Sequence, residues 1–209
     1  IAAAKAAPGK ISISTSGTGG LWHELAAVVA VSAGVTLKYV PYKGGKNATL
    51  AGLNGETMIA GGGVHEHIEH IRAGKLRNIQ QTGAANIDAG GGKIMQSVGN
   101  FLPQIKGQLP FSGIYNLAML KGVNKSIQAK VQKAFVAAVK SNTFAKVAKK
   151  KFFEIDIRLG AQANRRAAQV EVQTAATFEK LKIKGARSLK QLGLPSPANF
   201  DAWWAKNGK

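Results

Sequence analysis

Residues 12–23 read SISTSGTGGLWH, and this stretch joins a short strand to the start of a helix. Apolar and hydroxyl residues alternate up to Thr15, a glycine-rich turn follows, and an apolar helical pattern begins at Leu21. The first N–H groups of a helix have no partner within the helix, and they lie at the positive end of its dipole. The turn therefore favours a bound anion such as a carboxylate, or else it only changes the chain direction.

The same alternation of short strands and helices continues through the first half of the chain. The residue patterns predict the end of a helix at 1–7, helices over 21–33 and 64–74, and a turn followed by a short helix within 44–55. Strands are predicted over 10–15, 36–42 and 75–83, a short strand with a glycine tail over 57–63, and a loop over 84–93. Strands that alternate with helices are typical of an α/β fold with a mainly parallel sheet.

The second half is predicted to be mostly helical. A strand is expected over 111–120 and helices over 125–151 and 162–182. In the first of these helices, Ile127, Val131, Phe135 and Val139 form one apolar stripe. The tail is expected to pack back through Trp203 or Trp204.

Composition limits the chemistry and leaves the partners open. The 209 residues include no cysteine, which excludes thiolate metal sites, thiol catalysis and disulfides, and no apolar run approaches the length of a membrane span. The net charge is +19, and residues 106–209 hold 20 of the 29 Lys and Arg but 5 of the 10 Asp and Glu. Such a basic half is typical of chains that bind nucleic acid, an anionic membrane or an acidic partner. The helical spacing of the lysines nevertheless favours a solvated surface without a specific partner.

Two phosphate-binding motifs are excluded by specific residues. The pair Gly92-Lys93 has Ile87 where a Walker motif needs its first glycine and Ile94 where it needs Ser or Thr. A dinucleotide fingerprint that starts at Gly17 would need glycine at position 22, which is Trp22. The glycine turn is therefore predicted to bind no nucleotide cofactor.

The sequence offers no convincing catalytic or metal site. The stretch HEHIEH at 65–70 has Glu69 where the zincin motif needs histidine, so an exposed polar helix face is expected there. No G-x-S-x-G elbow is present, and His23 is interpreted as a packing or hydrogen-bonding residue. We expect a protein that is not an enzyme and needs neither metal nor cofactor.

Three blocks carry a family resemblance: PGKISISTSGTGGLWHELAA, VTLKYVPYKGGKNATLAGLNG and HIEHIRAGKLRNI. In order and spacing they resemble the substrate-binding receptors of tripartite tricarboxylate transporters, the Bug or TctC-like family. VPYKGG at 40–45 and HIRAGKLR at 70–77 are the most specific parts. The likeness is strong over roughly 1–82 and weaker through the rest of the chain.

The resemblance implies a two-lobed, type II periplasmic binding protein fold whose cleft closes on a small carboxylate. Residues 1–107 would form lobe two, and residues 108–209 would return to complete lobe one. The family's first segment, which supplies part of lobe one, is expected to be missing from this chain. A periplasmic, monomeric receptor is implied, with the membrane subunits of a transporter as its partner and no role in binding nucleic acid.

The resemblance also places the ligand on the glycine turn. The N–H groups near Thr18, Gly19, Gly20 and Leu21 would seat one carboxylate with hydroxyls from Thr15 and Thr18, and Gly61, Gly62 and Gly63 would line the mouth. The full set of expected ligand-binding residues is Thr15, Gly17, Thr18, Gly19, Gly20, Leu21, Trp22, His23, Gly62 and Gly63.

Some residues depart from the family pattern. Met58 stands where the family usually has an acidic residue, so an amino-acid ligand is less supported than a dicarboxylate, tricarboxylate or aromatic carboxylate. Trp22 replaces a small polar residue and would either stack on an aromatic ligand or fill the pocket. The alternatives are a basic protein that binds nucleic acid or another polyanion, and the effector-sensing domain of a transcription regulator, because fold alone does not determine function.

Overall fold

The structure is a computed structural model that describes residues 1–180, 182 and 185–208, without the side chains of residues 107 and 108. The chain forms two compact units, Ile1–Gly113 and Ile114–Lys209. Their assignment to lobe two and to a segment that returns to lobe one stays a prediction. Each unit is described below by itself.

The first unit contains the predicted alternation of strands and helices. Its elements are α1 (Ala2–Ala6), β1 (Ser12–Thr15), α2 (Leu21–Ser32), β2 (Lys38–Pro41), α3 (Gly45–Leu53), β3 (Ile59–Ala60), α4 (Val64–Arg72), β4 (Ile87–Asp88) and β5 (Ile94–Met95), followed by 3-10 helices at Val98–Asn100 and Pro103–Gln108.

A parallel sheet of order β2-β1-β3 lies at the centre of this unit. Ile13 of β1 is paired with Tyr39 of β2 on one side and with Ile59 of β3 on the other. The chain therefore moves from β1 to one neighbour and crosses back to the opposite side for β3. In open α/β sheets, ligands bind where the connections from adjacent strands diverge in this way, at the carboxyl ends of the strands.

Small residues allow α3 to pack closely on the sheet. Ala48 is fully buried, and its carbonyl accepts a 2.7 Å hydrogen bond from Ser14 Oγ of the central strand. A Cβ added to Gly52 would lie 2.6 Å from the Ala60 Cβ of β3. This contact leaves no room for a larger side chain at position 52.

The strand predicted over 75–83 is wrong. Only a single bridge, Gln81 to Ser97, forms within this segment. The Gln81 side chain donates to Ala85 O at 2.7 Å and accepts from the Gly83 N–H, while Asn78 Nδ2 donates to Gln80 O at 3.1 Å. Gln81 is the residue that pairs, since its N–H donates to Gln96 O at 2.9 Å and its carbonyl accepts from Val98 N at 2.8 Å. The Asn78 amide instead satisfies the Gln80 carbonyl two residues away, which competes with strand pairing there.

The loop predicted over 84–93 is partly ordered as a hairpin. Ile87 and Asp88 of β4 pair with Met95 and Ile94 of β5 in antiparallel register. The turn between them contains the consecutive glycines at 90, 91 and 92, all with positive φ, which is the backbone region that glycine adopts most easily.

The second unit is helical in its described part. Its elements are α5 (Lys125–Val139), α6 (Asn142–Lys151), α7 (Gly160–Lys180), α8 (Leu189–Leu192), a 3-10 helix at Pro197–Asn199 and α9 (Phe200–Asn207). The end of the helix predicted over 162–182 includes residue 181, which lies outside the described residues.

Two predictions for the second half of the chain are wrong. Residues 111–120 have a strand-like sequence but form no strand, because no neighbouring strand in the described chain pairs with them. The single helix predicted over 125–151 is two helices. Ser141 separates them, because its Oγ accepts a 3.1 Å hydrogen bond from Phe144 N and so caps the start of α6.

The tail packs within this unit, and its most buried residue is Phe200 rather than either tryptophan. Phe200 is 3% exposed, and its ring lies 5.9 Å from that of Trp204. Arg165 of α7 forms an ion pair with Asp201 and lies over the Phe200 ring at 5.5 Å. The expected tail packing is therefore present, with both tryptophans half-buried beside Phe200.

We expect Gly52→Ala to destabilise the protein even though alanine favours helices. Overpacking against Ala60 costs about 1–3 kcal/mol, whereas the gain in helix propensity is about 1 kcal/mol. Urea denaturation of Gly52→Ala, of Ala60→Gly and of the double variant measures the coupling between the two positions. The second change should recover stability, and purely additive effects would contradict the proposed contact.

Candidate functional site

The glycine turn after β1 has a backbone shape that requires glycine. Gly17 and Gly19 have φ angles of 140° and 69°, both in the region that other residues rarely adopt. Gly19 N–H donates to His23 Nδ1, and Gly20 N–H donates to Gly17 O, both at 3.3 Å. These two expected ligand donors are thus held within the turn, although by long hydrogen bonds.

The start of α2 is open to a hydrogen-bond acceptor. Its N-cap, Gly20, has extended backbone with φ −75° and ψ 166°, and no side chain caps it. The N–H groups of Leu21, Trp22 and His23 belong to the first helical turn, so the helix itself supplies them with no carbonyl partner. The available donors are therefore the N–H groups of these three residues, which follow Gly19 and Gly20 in the chain.

Thr15 ends the central strand directly before this turn. It is fully buried, and its Oγ1 has no hydrogen-bond partner among the described residues. Thr18, by contrast, is exposed. A buried hydroxyl without a partner costs about 1–3 kcal/mol, so Thr15 is an unusual choice for a purely structural position.

His23 supports the turn from within α2. It is 8% exposed, and its ring is stacked on Tyr39 with centroids 4.5 Å apart and planes inclined by 21°. Burial lowers the pKa of His23, which favours the neutral ring that accepts the Gly19 N–H at Nδ1. This geometry gives His23 the packing and hydrogen-bonding function expected from the sequence.

The second turn, Gly61–Gly63, follows β3 and lies beside β1. Gly61 N donates to Ser14 O at 3.0 Å, and Gly63 N donates to Glu66 Oε2 at 2.8 Å. A Cβ on Gly45 would overlap the Glu66 carboxylate, which therefore lies against the start of α3 as well as that of α4. The Glu66 carboxylate thus lies at the positive ends of both helix dipoles and supplies the negative charge that stabilises them.

The two turns meet at Gly63. A Cβ on Gly63 would lie 2.9 Å from Trp22 Cζ2 and 2.4 Å from His65 Cε1. The rings of Trp22 and His65 thus both lie in the space that a side chain at position 63 would need, and only glycine fits there. The structure therefore brings together the expected ligand residues of the first turn and those of the second.

The exposed polar face predicted for HEHIEH is only partly observed. Glu69 is exposed, whereas His65, Glu66, His67 and His70 are half-buried, because the start of α4 folds under the Gly61–Gly63 turn. His67 Nε2 is shielded and has no hydrogen-bond partner among the described residues, and burial lowers the pKa of His67. Within the described ranges, no group of three or more His, Asp or Glu is arranged to hold a metal ion.

Glu66 and Tyr39 have structural functions that were not predicted from the sequence. Glu66 is the third residue of α4, and a glutamate at this position is the usual sign of a capping box. Tyr39 carried no signal of its own, because its stacking on His23 joins two separate elements.

The chain was compared with known proteins. The family model described as "Tripartite tricarboxylate transporter family receptor" matches residues 1–183. The chain belongs to this receptor family. Members of the family are transport receptors and not enzymes.

Solved structures agree with the fold of a TctC-like receptor. A protein described as "Structure of a periplasmic transporter" matches with a TM-score of 0.67 and 22% identity, covering 89% of this chain and 59% of its own chain. The receptor chain thus spans about three-fifths of that relative, and the likeness shows a type II periplasmic binding protein-like α/β fold. Curated protein sequences gave no match. Among the described residues, no helix is both long and apolar enough to cross a membrane.

We expect Thr15→Val to stabilise the ligand-free receptor by about 1 kcal/mol, because it removes a buried hydroxyl that has no partner. Thr49→Val is the matched control. Thr49 is 3% exposed and donates from Oγ1 to Gly45 O at 2.8 Å. Loss of this hydrogen bond should lower the free energy of unfolding by about 0.5–1.5 kcal/mol. Urea denaturation of both variants measures the free energies of unfolding. Equal losses of stability in the two variants would contradict the conclusion that Thr15 Oγ1 has no hydrogen-bond partner among the described residues.

Acidification should destabilise the receptor. The pKa values of His23 and His67 are lowered by burial in the folded state and return to about 6.5 on unfolding. As the pH falls through 6.5, the unfolded chain therefore binds protons that the folded chain does not. The double variant His23→Asn, His67→Gln should lose part of this pH dependence in urea denaturation. NMR titration midpoints at or above 6.5 would overturn the explanation.

Proposed function

We propose that this receptor is an extracytoplasmic, periplasmic solute-binding protein that captures a small carboxylate for a tripartite tricarboxylate transporter. The observation that carries the proposal is the uncapped start of α2 at the carboxyl end of the central strand. Family membership supports a transport receptor, and the geometry suggests which part of it holds the anion.

The proposed anion position uses backbone groups and no cationic side chain. A carboxylate in front of Gly20 would accept hydrogen bonds from the N–H groups of Leu21, Trp22 and His23, with the helix dipole adding attraction. Gly19 and Gly20 would contribute further donors only by exchanging their 3.3 Å internal bonds for the ligand. The Thr15 hydroxyl lies under the turn and would gain a partner if the turn rearranged around a ligand.

The surroundings favour a ligand without an amino group. Met58 stands at the position where the family usually carries an acid, and its side chain is uncharged and 70% exposed. This position therefore offers no negative charge for an ammonium group. Gly62 and Gly63 offer backbone only, and Trp22 presents a half-buried aromatic ring beside Gly63. We therefore favour dicarboxylates, tricarboxylates or aromatic carboxylates over amino acids.

Capture by such a receptor would be coupled to transport through a change of conformation. A ligand shifts the population only as far as it binds one state better than the other. Contacts that form only in a ligand-closed state would create the surface that the membrane subunits recognise. The proposed partners are accordingly a small carboxylate and these membrane subunits, with no metal or cofactor.

A thermal-shift series tests the proposal. The purified receptor is titrated with dicarboxylates, tricarboxylates and aromatic carboxylates, with heparin as the polyanion control. A ligand at about 100 times its Kd stabilises the folded state by about 2.7 kcal/mol, which shifts Tm by several degrees. A response to heparin alone would contradict carboxylate capture and favour a polyanion-binding protein.

The variant Leu21→Pro tests the anion position itself. Proline is accepted at the first helical position and removes one N–H, and the extended backbone of Gly20 suits a residue before proline. Loss of one hydrogen bond to a charged group should weaken binding by about tenfold or more. Leu21→Ala keeps the N–H and is the matched control for the lost side chain, which contacts Gly113. Equal affinities of the two variants would exclude this position.

A further inference from the structure

The middle of the chain is rich in lysine and contains no negative charge. From Ala89 to Phe153 the sequence has eleven lysines and no Asp, Glu or Arg. Most of these lysines belong to α5, α6 and the segment just before them. No acidic residue lies within this stretch itself, and the next ones along the chain are Glu154 and Asp156.

In α5 and at its C-cap, three lysines lie on the side opposite the packed residues, whereas the fourth, Lys125, lies outside this group. At 100° per residue, Lys130, Lys133 and Lys140 fall within an arc of about 80°. All three are exposed, whereas Phe135 and Val139 on the other side are half-buried. The helix thus presents a continuous row of positive charge to solvent.

In α6, the same separation is found over a shorter length. Lys146, Lys149 and Lys150 are exposed and fall within an arc of about 100°. Ala148, on the opposite side, is 4% exposed. We call the six residues Lys130, Lys133, Lys140, Lys146, Lys149 and Lys150 the lysine face.

Local stabilisation does not account for this set. Lysines in the last turn of a helix interact favourably with its dipole, which explains Lys149 and Lys150. Lys130 and Lys133 lie in the middle of α5, where that effect has faded. Among the described residues of the second unit, the ion pairs join Arg158 with Asp156 and Arg165 with Asp201, and so involve none of the lysine face.

The chemistry of the lysine face fits a diffuse anionic surface better than nucleic acid. Arginine is the residue that recognises phosphates with paired hydrogen bonds, and none lies between Ala89 and Phe153. Single-strand binding also needs aromatic side chains interleaved with the charges, and the one aromatic residue of α5, Phe135, points to the packed side. Lysine clusters without such groups attract anionic lipid headgroups through charge alone.

Exposed apolar side chains occur on the same helices. Ile127 of α5 is 52% exposed and Val147 of α6 is 44% exposed, and Leu120 just before α5 is 86% exposed. Lysine together with exposed apolar residues is the composition of elements that lie at a membrane surface.

We propose that the lysine face of α5 and α6 binds the surface of anionic phospholipid membranes. The interaction is peripheral, reversible and electrostatic, and it is independent of the carboxylate site in the first unit. It would hold the receptor close to the membrane in which its proposed transporter partner lies.

Vesicle co-sedimentation of the full chain tests the proposal. Vesicles of phosphatidylcholine with a quarter phosphatidylglycerol should bind the protein at low salt, and vesicles of phosphatidylcholine alone should not. Raising the salt concentration from about 0.02 M to about 0.5 M should release it, because screening shortens the reach of the charges. Equal binding to both kinds of vesicle would overturn the proposal.

Two matched variants separate the lysine face from net charge. Lys130→Gln, Lys133→Gln and Lys140→Gln together should weaken binding by tenfold or more, since each lysine near an anionic surface adds to the electrostatic attraction. Lys5→Gln, Lys10→Gln and Lys38→Gln remove the same charge from exposed positions in the first unit and should leave binding nearly unchanged. Equal losses in both variants, or binding to duplex DNA but not to vesicles, would overturn the assignment.

Discussion

The constraint on which the site depends is that the first N–H groups of a helix have no partner within it. In α2 this end follows the buried central strand, and its N-cap is a glycine that offers no side-chain oxygen. The turn satisfies Gly19 and Gly20 internally and leaves the next three N–H groups to an external acceptor. A helix start of this kind is stable in water but is stabilised further by an anion, which is the chemistry that a carboxylate receptor needs.

The rest of the first unit holds this helix start in place. Ser14 connects the central strand to α3, and His23 stacks on Tyr39 of the neighbouring strand. Glu66 occupies the starts of α3 and α4 with a carboxylate of the protein itself. The fold thus uses one internal carboxylate as a structural anion and keeps the start of α2 free of a side-chain cap.

The second half of the chain contains a segment whose residue composition is typical of one structure but which adopts another. Residues 111–120 have the composition of a buried strand, yet Tyr115, Leu117 and Leu120 are strongly exposed. A strand exists only when another strand pairs with it, and the described chain supplies none. The division between α5 and α6 at Ser141 was readable in principle, since serine is a frequent N-cap, but the apolar stripe continued across it.

The sequence by itself determined the order of the first elements and the glycine turn, because these depend on local periodicity and on positions that only glycine can occupy. The family followed from the resemblance of three sequence blocks to known receptors. It also determined the excess of lysine in the second half. Only the tertiary structure decided which N–H groups remain free, that Thr15 is buried without a partner, and that Trp22 meets His65 at Gly63. These facts depend on contacts between residues far apart in the chain, and no local pattern encodes such contacts.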